Sequence, residues 1–289
     1  MNPTISDQPH PPIHQEITNP EVNPILVPAS KSWFVRQRWR YLFDLVYELV
    51  LRDMRVRYKR SILGFAWSLI NPLLQLSVVG FVFSKVLPLQ IANYPLFLLT
   101  GLLAWNWFQT SLLAVTGSIV DNREVIRQPG FPTAMLPVVT VTTNLVHFVL
   151  ALPILIAMIL FSGQGVSLVA LLLPVVIALQ FLLTLSVGFL LATLHVSLRD
   201  TQYLVGISLL LGFYLTPVFY DPASIPARYQ MLFQLNPMLH IIGAYRSLLL
   251  LHQLPPLFPL TMIGLLGGIL LWLTHRRFVH ASYFFIEEL

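Results

Sequence analysis

Residues 51–72 read LRDMRVRYKRSILGFAWSLINP, a basic run that passes within one residue into an uncharged apolar stretch. Arg52, Arg55, Arg57, Lys59 and Arg60 stand against one acid, Asp53, and the next charge is Lys85. As a helix, Ser61 to Ser84 would span roughly 36 Å at about 1.5 Å per residue, enough to cross a bilayer core of roughly 30 Å. The stretch therefore predicts an integral membrane protein. Its cations predict which end of the span faces the cytoplasm. Two roles are open to them. They can serve only as a topology anchor, or they can also collect an anionic, phosphorylated headgroup at the mouth of the span. Guanidinium and ammonium groups suit the second role because they bind phosphate oxygens well.

The composition agrees with one membrane domain and short loops. Of 289 residues, 56% are hydrophobic and 10% charged, against roughly 25% charged in an ordinary soluble domain. The net charge of +5 would suit nucleic acid only on a solvated basic face, and here the charges flank apolar runs, so no nucleic-acid partner is expected. The chain has no cysteine, which removes disulfides, thiolate metal sites and redox thiols from consideration.

Residues 1–30 hold seven prolines and no apolar block of signal-peptide length, and read as a disordered cytoplasmic tail. In 31–60, Leu42, Leu45, Val46, Leu49 and Val56 recur at helical spacing opposite Asp44, Glu48, Arg52 and Arg55. That pattern predicts an amphipathic helix at the membrane surface or against a partner, with acid-first pairs Glu48–Arg52 and Asp53–Arg57. Further spans are expected at about 96–120, 136–161, 167–194, 201–219 and 257–274. They are punctuated by the charged turn from Asp121 to Gly130, the cluster Ser162 to Gly165 and the pair Arg199–Asp200.

Residues 229–251 could be a seventh span, but this would bury Arg246 at a cost of about 2.5–3.5 kcal/mol near a helix centre. Six spans place 14 of the 17 lysines and arginines on the cytoplasmic side, leaving only Lys85, Arg228 and Arg246 outside. The positive-inside rule therefore favours six. The 229–251 segment becomes two short outer-side helices, re-entrant or interfacial, broken at Asn236-Pro237. The expected organisation is a tail at 1–30, an interface helix at 31–60, a six-span all-α membrane domain at 61–280 and a cytoplasmic tail at 281–289. Both termini lie inside.

Catalytic machinery is absent from the pattern. No lysine follows a glycine, so there is no phosphate-cradling loop. Thr184–Gly188 lacks the first glycine of a nucleophile elbow. The predicted spans contain no Asp, Glu, Lys or Arg to carry a coupling ion. His147, the one ionisable residue deep in a span, reads as a histidine hydrogen-bonded between helices. Any transport must then draw its energy from a partner.

LRDMRVRYKRSILGFAWSLINPLLQL resembles the opening of the permeases of polysaccharide-export ABC transporters, which move O-antigen, capsule or teichoic acid chains. Leu215–Tyr220 with Leu235–Pro237 and Tyr245-Arg246, and the turn Asn122 to Gly130 with Arg199-Asp200, are similar to further parts of that family. The likeness runs over about residues 33–280.

It implies a homodimer in the inner membrane with a pore between the two copies, and two separate ATPase subunits that bind the ATP and Mg. This chain itself would hold no cofactor or metal and would not be an enzyme. On the matching positions, Arg55, Arg57, Lys59 and Arg60 would bind the substrate's lipid-linked pyrophosphate. Arg123, Glu124 and Arg127 would take the ATPase stroke on a coupling helix. Trp67, Tyr214, Phe219 and Tyr220 are the aromatics placed to stack on sugar rings in the pore, with Trp105, Trp107, Phe108 and Phe213 further candidates. Interfacial or packing roles are the ordinary alternative for such rings. Other readings keep the fold but change the cargo to a drug, lipid or small glycolipid, or make the chain a polyprenyl-phosphate glycosyltransferase or a carbohydrate-binding scaffold.

Overall fold

The computed structural model describes residues 31–59, 64–86, 91–128, 130–282 and 285. The expected tail 1–30, Arg60 and most of 281–289 lie outside them. The chain divides into two units, 1–43 and 44–289, and the account below concerns the second. Among the described residues there are helices and turns but no strand. The helices are α1 (Lys31–Tyr58), α2 (Trp67–Phe81, running into one π turn, Val82–Val86), α3 (Tyr94–Asp121), the short α4 (Arg123–Ile126) and α5 (Met135–Phe161). Then follow α6 (Leu173–Ser197), α7 (Thr201–Leu215), α8 (Ala227–Gln234), α9 (Pro237–Leu249) and α10 (Leu257–Ala281).

Four segments are long and apolar enough to cross a membrane: Tyr94–Asp121, Met135–Phe161, Leu168–Ser197 and Leu257–Ala281. Two shorter apolar helices, Ile70–Phe81 and Thr201–Leu215, stand where the first and fifth spans are expected. The protein is a multi-pass membrane protein.

The core is built around α3. It is the least hydrophobic of the four long segments, yet 67% of its span is buried inside the protein, against 33%, 28% and 22% for the others. Enclosure by other helices lets it carry polar side chains that lipid would penalise. Its hydroxyls bond within the helix, as at Thr100 to the Leu96 carbonyl (2.8 Å) and Thr116 to the Leu112 carbonyl (2.7 Å). Gln180 of α6 donates to the Ala104 carbonyl at 2.8 Å, and Ser186 donates to the Gly267 carbonyl of α10 at 3.1 Å. Gly264 and Gly267 set the close approach of α10 to α6, since an added Cβ would lie 3.1 Å from Leu179 and 3.4 Å from Leu182. At Gly268, four residues after Gly264, an added Cβ would meet nothing within 4 Å.

The apolar stripe of α1 packs on α5, with Leu49 and Val50 buried against Val139 and with Leu45 and Val46 beside them. Val56, expected on the same stripe, is exposed. At the end of α3 that leads into α4, Ile126 is buried among Val115, Ile119, Leu136, Phe189 and Phe278.

Helix α7, at the place of the expected fifth span, ends earlier than expected, at Leu215 rather than near Phe219. Pro217 disfavours a helical conformation for the residue before it, and Thr216 is extended at φ −105, ψ 135. The chain from Thr216 to Tyr220 is then tied down from several sides. Asn236 caps α9 by accepting from the Met238 N–H at 3.0 Å, and its own amide donates to the Thr216 hydroxyl at 2.8 Å. The Tyr94 hydroxyl donates to the Phe219 carbonyl at 2.9 Å.

Arg246 of α9, only 6% exposed, supplies the strongest ties. Its Nη1 donates to the Pro217 carbonyl (2.7 Å), and its Nη2 donates to the carbonyls of Val218 (2.6 Å) and Phe97 (3.2 Å). The guanidinium also lies 3.4 Å over the Phe97 ring, where a cation is attracted to the ring face. Residues 229–251 thus form two short helices broken at Asn236-Pro237. Their arginine is spent on backbone carbonyls.

Gly101 is the counterpart of that arginine on α3, because an added Cβ would lie 2.7 Å from Arg246 Nη2 and 2.8 Å from the Val218 carbonyl oxygen. Arg246→Ala orphans at least two buried carbonyls and should cost about 3 kcal/mol, read as a lowered unfolding temperature in detergent. Arg246→Lys should recover less than half of the loss, since one ammonium cannot reproduce the planar fork. Gly101→Ala should cost about 1–3 kcal/mol by overpacking, measured in the same way.

Candidate functional site

Helix geometry divides the basic run of α1 between two faces. Arg52, Arg55 and Lys59 follow the i, i+3 and i+4 spacing of one face and line an open groove of about 730 Å³ with Glu48. All three are exposed. Arg57 lies about half a turn away and lines a different cavity, of about 340 Å³, together with Tyr58, Trp67, Asn71, Asn106 and His147. The four cations expected to act together are therefore separated into Arg55 with Lys59 on the groove and Arg57 on the cavity. Arg60 lies outside the described residues. The helical pair Asp53–Arg57 gives way to other partners: Asp53 meets Arg52 at 3.7 Å, and Arg57 turns to His147.

His147 of α5 is held between two residues of α1. Arg57 Nη1 is 3.2 Å from His147 Nε2, and the Tyr58 hydroxyl is 3.1 Å from Nδ1. Arginine can only donate, so Nε2 accepts and Nδ1 carries the proton toward the tyrosine oxygen. The Tyr58 ring meets the imidazole edge-on at 5.7 Å. This is the histidine hydrogen-bonded between helices that the sequence predicts, and it orients Arg57 toward the cavity.

The aromatic candidates fall into two places. Trp67, 51% exposed, borders the Arg57 cavity. Tyr214, Phe219 and Tyr220 are brought together at the far end of α7. Phe219 sits 6.1 Å from Tyr214, 5.0 Å from Tyr220, 5.6 Å from Phe213 and 5.2 Å from Phe83. Tyr214 is 58% exposed, so part of the cluster remains open to a ligand. The Tyr220 hydroxyl donates to the Tyr214 carbonyl at 3.1 Å, and burial raises the pKa of this phenol, keeping it neutral. Trp105 joins Phe213 at 6.1 Å, whereas Trp107 stacks on Phe148 at 4.9 Å inside the core.

A second cavity of about 230 Å³ lies between these two places, lined by Gln75, Asn106, Gln109, Phe213 and Tyr214 among others. Asn106 borders both cavities. The two therefore make one broken path along α2, α3 and α7, from Arg57 to the aromatic cluster. The carboxamides on it, Asn71, Gln75, Asn106 and Gln109, were not singled out from the sequence. Their signal is present there as amides inside uncharged runs, where lipid would penalise them. Among the described residues no group of three or more His, Asp or Glu could hold a metal.

On α4, Arg123, Glu124 and Arg127 are all exposed while Ile126 alone is buried. The short helix thus presents a charged face outward and an apolar anchor inward.

The chain is similar to several polysaccharide permeases. It is 36% identical to the O-antigen export system permease protein RfbA of Myxococcus xanthus, over 88% of this chain and 98% of that protein. A protein of the same name from Klebsiella pneumoniae is 34% identical over 72% of this chain and 81% of its own length. The polysialic acid transport protein KpsM of Escherichia coli is 24% identical over 69% of this chain and 78% of its own. Residues 44–250 match the family described as ABC-2 type transporter. That range starts within α1 and closes at the end of α9, so it contains both cavities, the aromatic cluster and α4, and the chain belongs to this family.

Proposed function

We propose that this chain is the membrane subunit of an ATP-driven exporter that moves a lipid-linked polysaccharide across the inner membrane. Two copies form the pore between them, and each receives a separate nucleotide-binding ATPase that holds ATP and Mg. The subunit itself is not an enzyme. Six spans, with α2 and α7 as the first and fifth, leave both termini in the cytoplasm and put 14 of the 17 basic residues there. In that orientation α8 and α9 form the outer-side helices.

The observation that carries this reading is the path from Arg57 to Tyr220, which changes character along its length. At the cytoplasmic end, the Arg57 cavity and the groove of Arg55 and Lys59 suit a diphosphate. Arg60 follows directly in sequence. Beyond them come Trp67, then neutral amides, then Tyr214, Phe219 and Tyr220. Aromatic faces and amides can hold a sugar chain without the fixed charge that would trap it. Relatives named for O-antigen and polysialic acid transport support the cargo class. The exposed charges of α4 are positioned for the ATPase, with Ile126 carrying displacement into α3, α6 and α10 through its cluster.

Two experiments test the reading. In cells lacking their own O-antigen permease, this chain with its ATPase should restore surface polysaccharide. Arg57→Ala/Arg60→Ala should reduce surface polysaccharide at least tenfold while the protein remains in the membrane. A wild-type chain that inserts, retains its ATPase and exports nothing refutes the proposal. In reconstituted complex, wild-type ATP hydrolysis should respond to lipid-linked glycan. Glu124→Ala with Arg127→Ala should weaken ATPase co-purification about tenfold, a change of about 1.4 kcal/mol, and undiminished co-purification would take α4 out of the docking surface.

A further inference from the structure

The middle of the path holds a hydrogen-bonded amide pair. Asn106 Nδ2 of α3 donates to Gln75 Oε1 of α2 at 2.9 Å. Gln109, one turn along α3, has its oxygen occupied by the Trp105 indole N–H at 2.8 Å. Each bond orients one half of an amide and leaves the other half for the cavity. Gln75 is left with its NH₂, Asn106 with its carbonyl, and Gln109 with its NH₂. The three residues border the same 230 Å³ cavity as Phe213 and Tyr214. A donor, an acceptor and a second donor beside aromatic rings match neighbouring hydroxyls on a pyranose, each of which both donates and accepts. Among the described residues the Tyr214 phenol is the only ionisable group lining this cavity. Arg57 borders the other cavity and not this one, and Arg246 is engaged with backbone carbonyls.

We propose that Gln75, Asn106 and Gln109 with the rings of Phe213 and Tyr214 form a subsite for one neutral sugar residue, selecting uncharged glycans over those built from carboxylated sugars. The proposal rests on the export reading and specifies its substrate class. A carboxylate entering this cavity would lose water without gaining a counter-charge, whereas a neutral hexose exchanges hydroxyl–water bonds for hydroxyl–amide bonds and covers ring surface. Because Asn106 borders both cavities, the sugar that engages it also separates the α2–α3 pair as the chain advances.

The test uses the full chain in nanodiscs, titrated with maltohexaose and with a galacturonate hexamer, and reads saturation-transfer NMR on the sugar protons. Maltohexaose should give transfer to the wild type, and the galacturonate oligomer should bind at least tenfold more weakly. Gln75→Ala and Asn106→Ala should each weaken maltohexaose binding about tenfold, and the double variant should be little worse than either, since the two amides act as a pair. Gln75→Arg should raise galacturonate binding toward that of maltohexaose. Equal binding of the two oligomers by the wild type, or no maltohexaose transfer at all, overturns the proposal. So do alanine variants that lower the unfolding temperature while leaving sugar binding intact, because the amides would then serve helix packing alone. Failure of the export reading itself is seen separately, as absent surface polysaccharide in the complementation assay with wild-type chain.

Discussion

A backbone segment that leaves a helix near or within a membrane must still have its carbonyls satisfied, because lipid offers them no donor. Arg246 meets that requirement for this protein. Its fork takes the carbonyls of Pro217 and Val218 from the strand-like segment after α7 and the carbonyl of Phe97 from α3. The positive charge is spread over backbone dipoles and the Phe97 ring. With Tyr94 holding the Phe219 carbonyl and Asn236 holding Thr216, the whole turn is fixed against α3. The aromatic cluster that ends the path sits on this turn, so its geometry depends on one buried guanidinium and on the missing side chain of Gly101.

The same economy governs the centre. A helix carrying Asn106, Gln109, Thr110 and Ser111 would be a poor lipid-facing span, and α3 is instead enclosed by its neighbours. The polar groups that make it unsuited to lipid supply the acceptor for Gln180 at Ala104 and the amides of the path. The more hydrophobic helices, α5, α6 and α10, turn most of their surface outward.

Much of this was legible from charge placement. The ends of α3 and α5 follow from Asp121 and from Ser162 to Gly165, because polar clusters cannot enter lipid, whereas α10 continues to Ala281, past the expected end near Thr274. The division of 229–251 follows from Asn236-Pro237. The end of α7 was overrun because an apolar stretch through Val218 and Phe219 looks like a continuing span, although Pro217 and a distant arginine stop it. Spacing along the chain could place the cations at one end of a span, but only the helix phase separates Arg55 and Lys59 from Arg57. The partnership of Arg57 with His147 crosses 90 positions and leaves no local trace. The amide path was hidden for a related reason: single amides in apolar runs gain meaning only when α2 and α3 are set side by side.

In the export cycle proposed above, a push on α4 must reach the aromatic turn at the far end of α3. Ile126 packs among Val115 and Ile119 of α3, Phe189 of α6 and Phe278 of α10, so displacement enters three helices at once. A close-packed interior transmits such displacement instead of absorbing it. Along α3 the motion passes Asn106, whose amide is hydrogen-bonded to Gln75 of α2, and ends at Phe97, where α9 is held by the buried arginine. The two attachments differ in kind. The Asn106–Gln75 hydrogen bond borders cavities and exchanges readily for a hydroxyl, while the arginine bonds are enclosed and charge-assisted. In the proposed cycle the Asn106–Gln75 hydrogen bond is therefore the tie that a passing hydroxyl can replace, and the aromatic turn moves with α3 as one body. In the proposed exporter, a pore built this way can release that tie while its outer aromatic end keeps its shape.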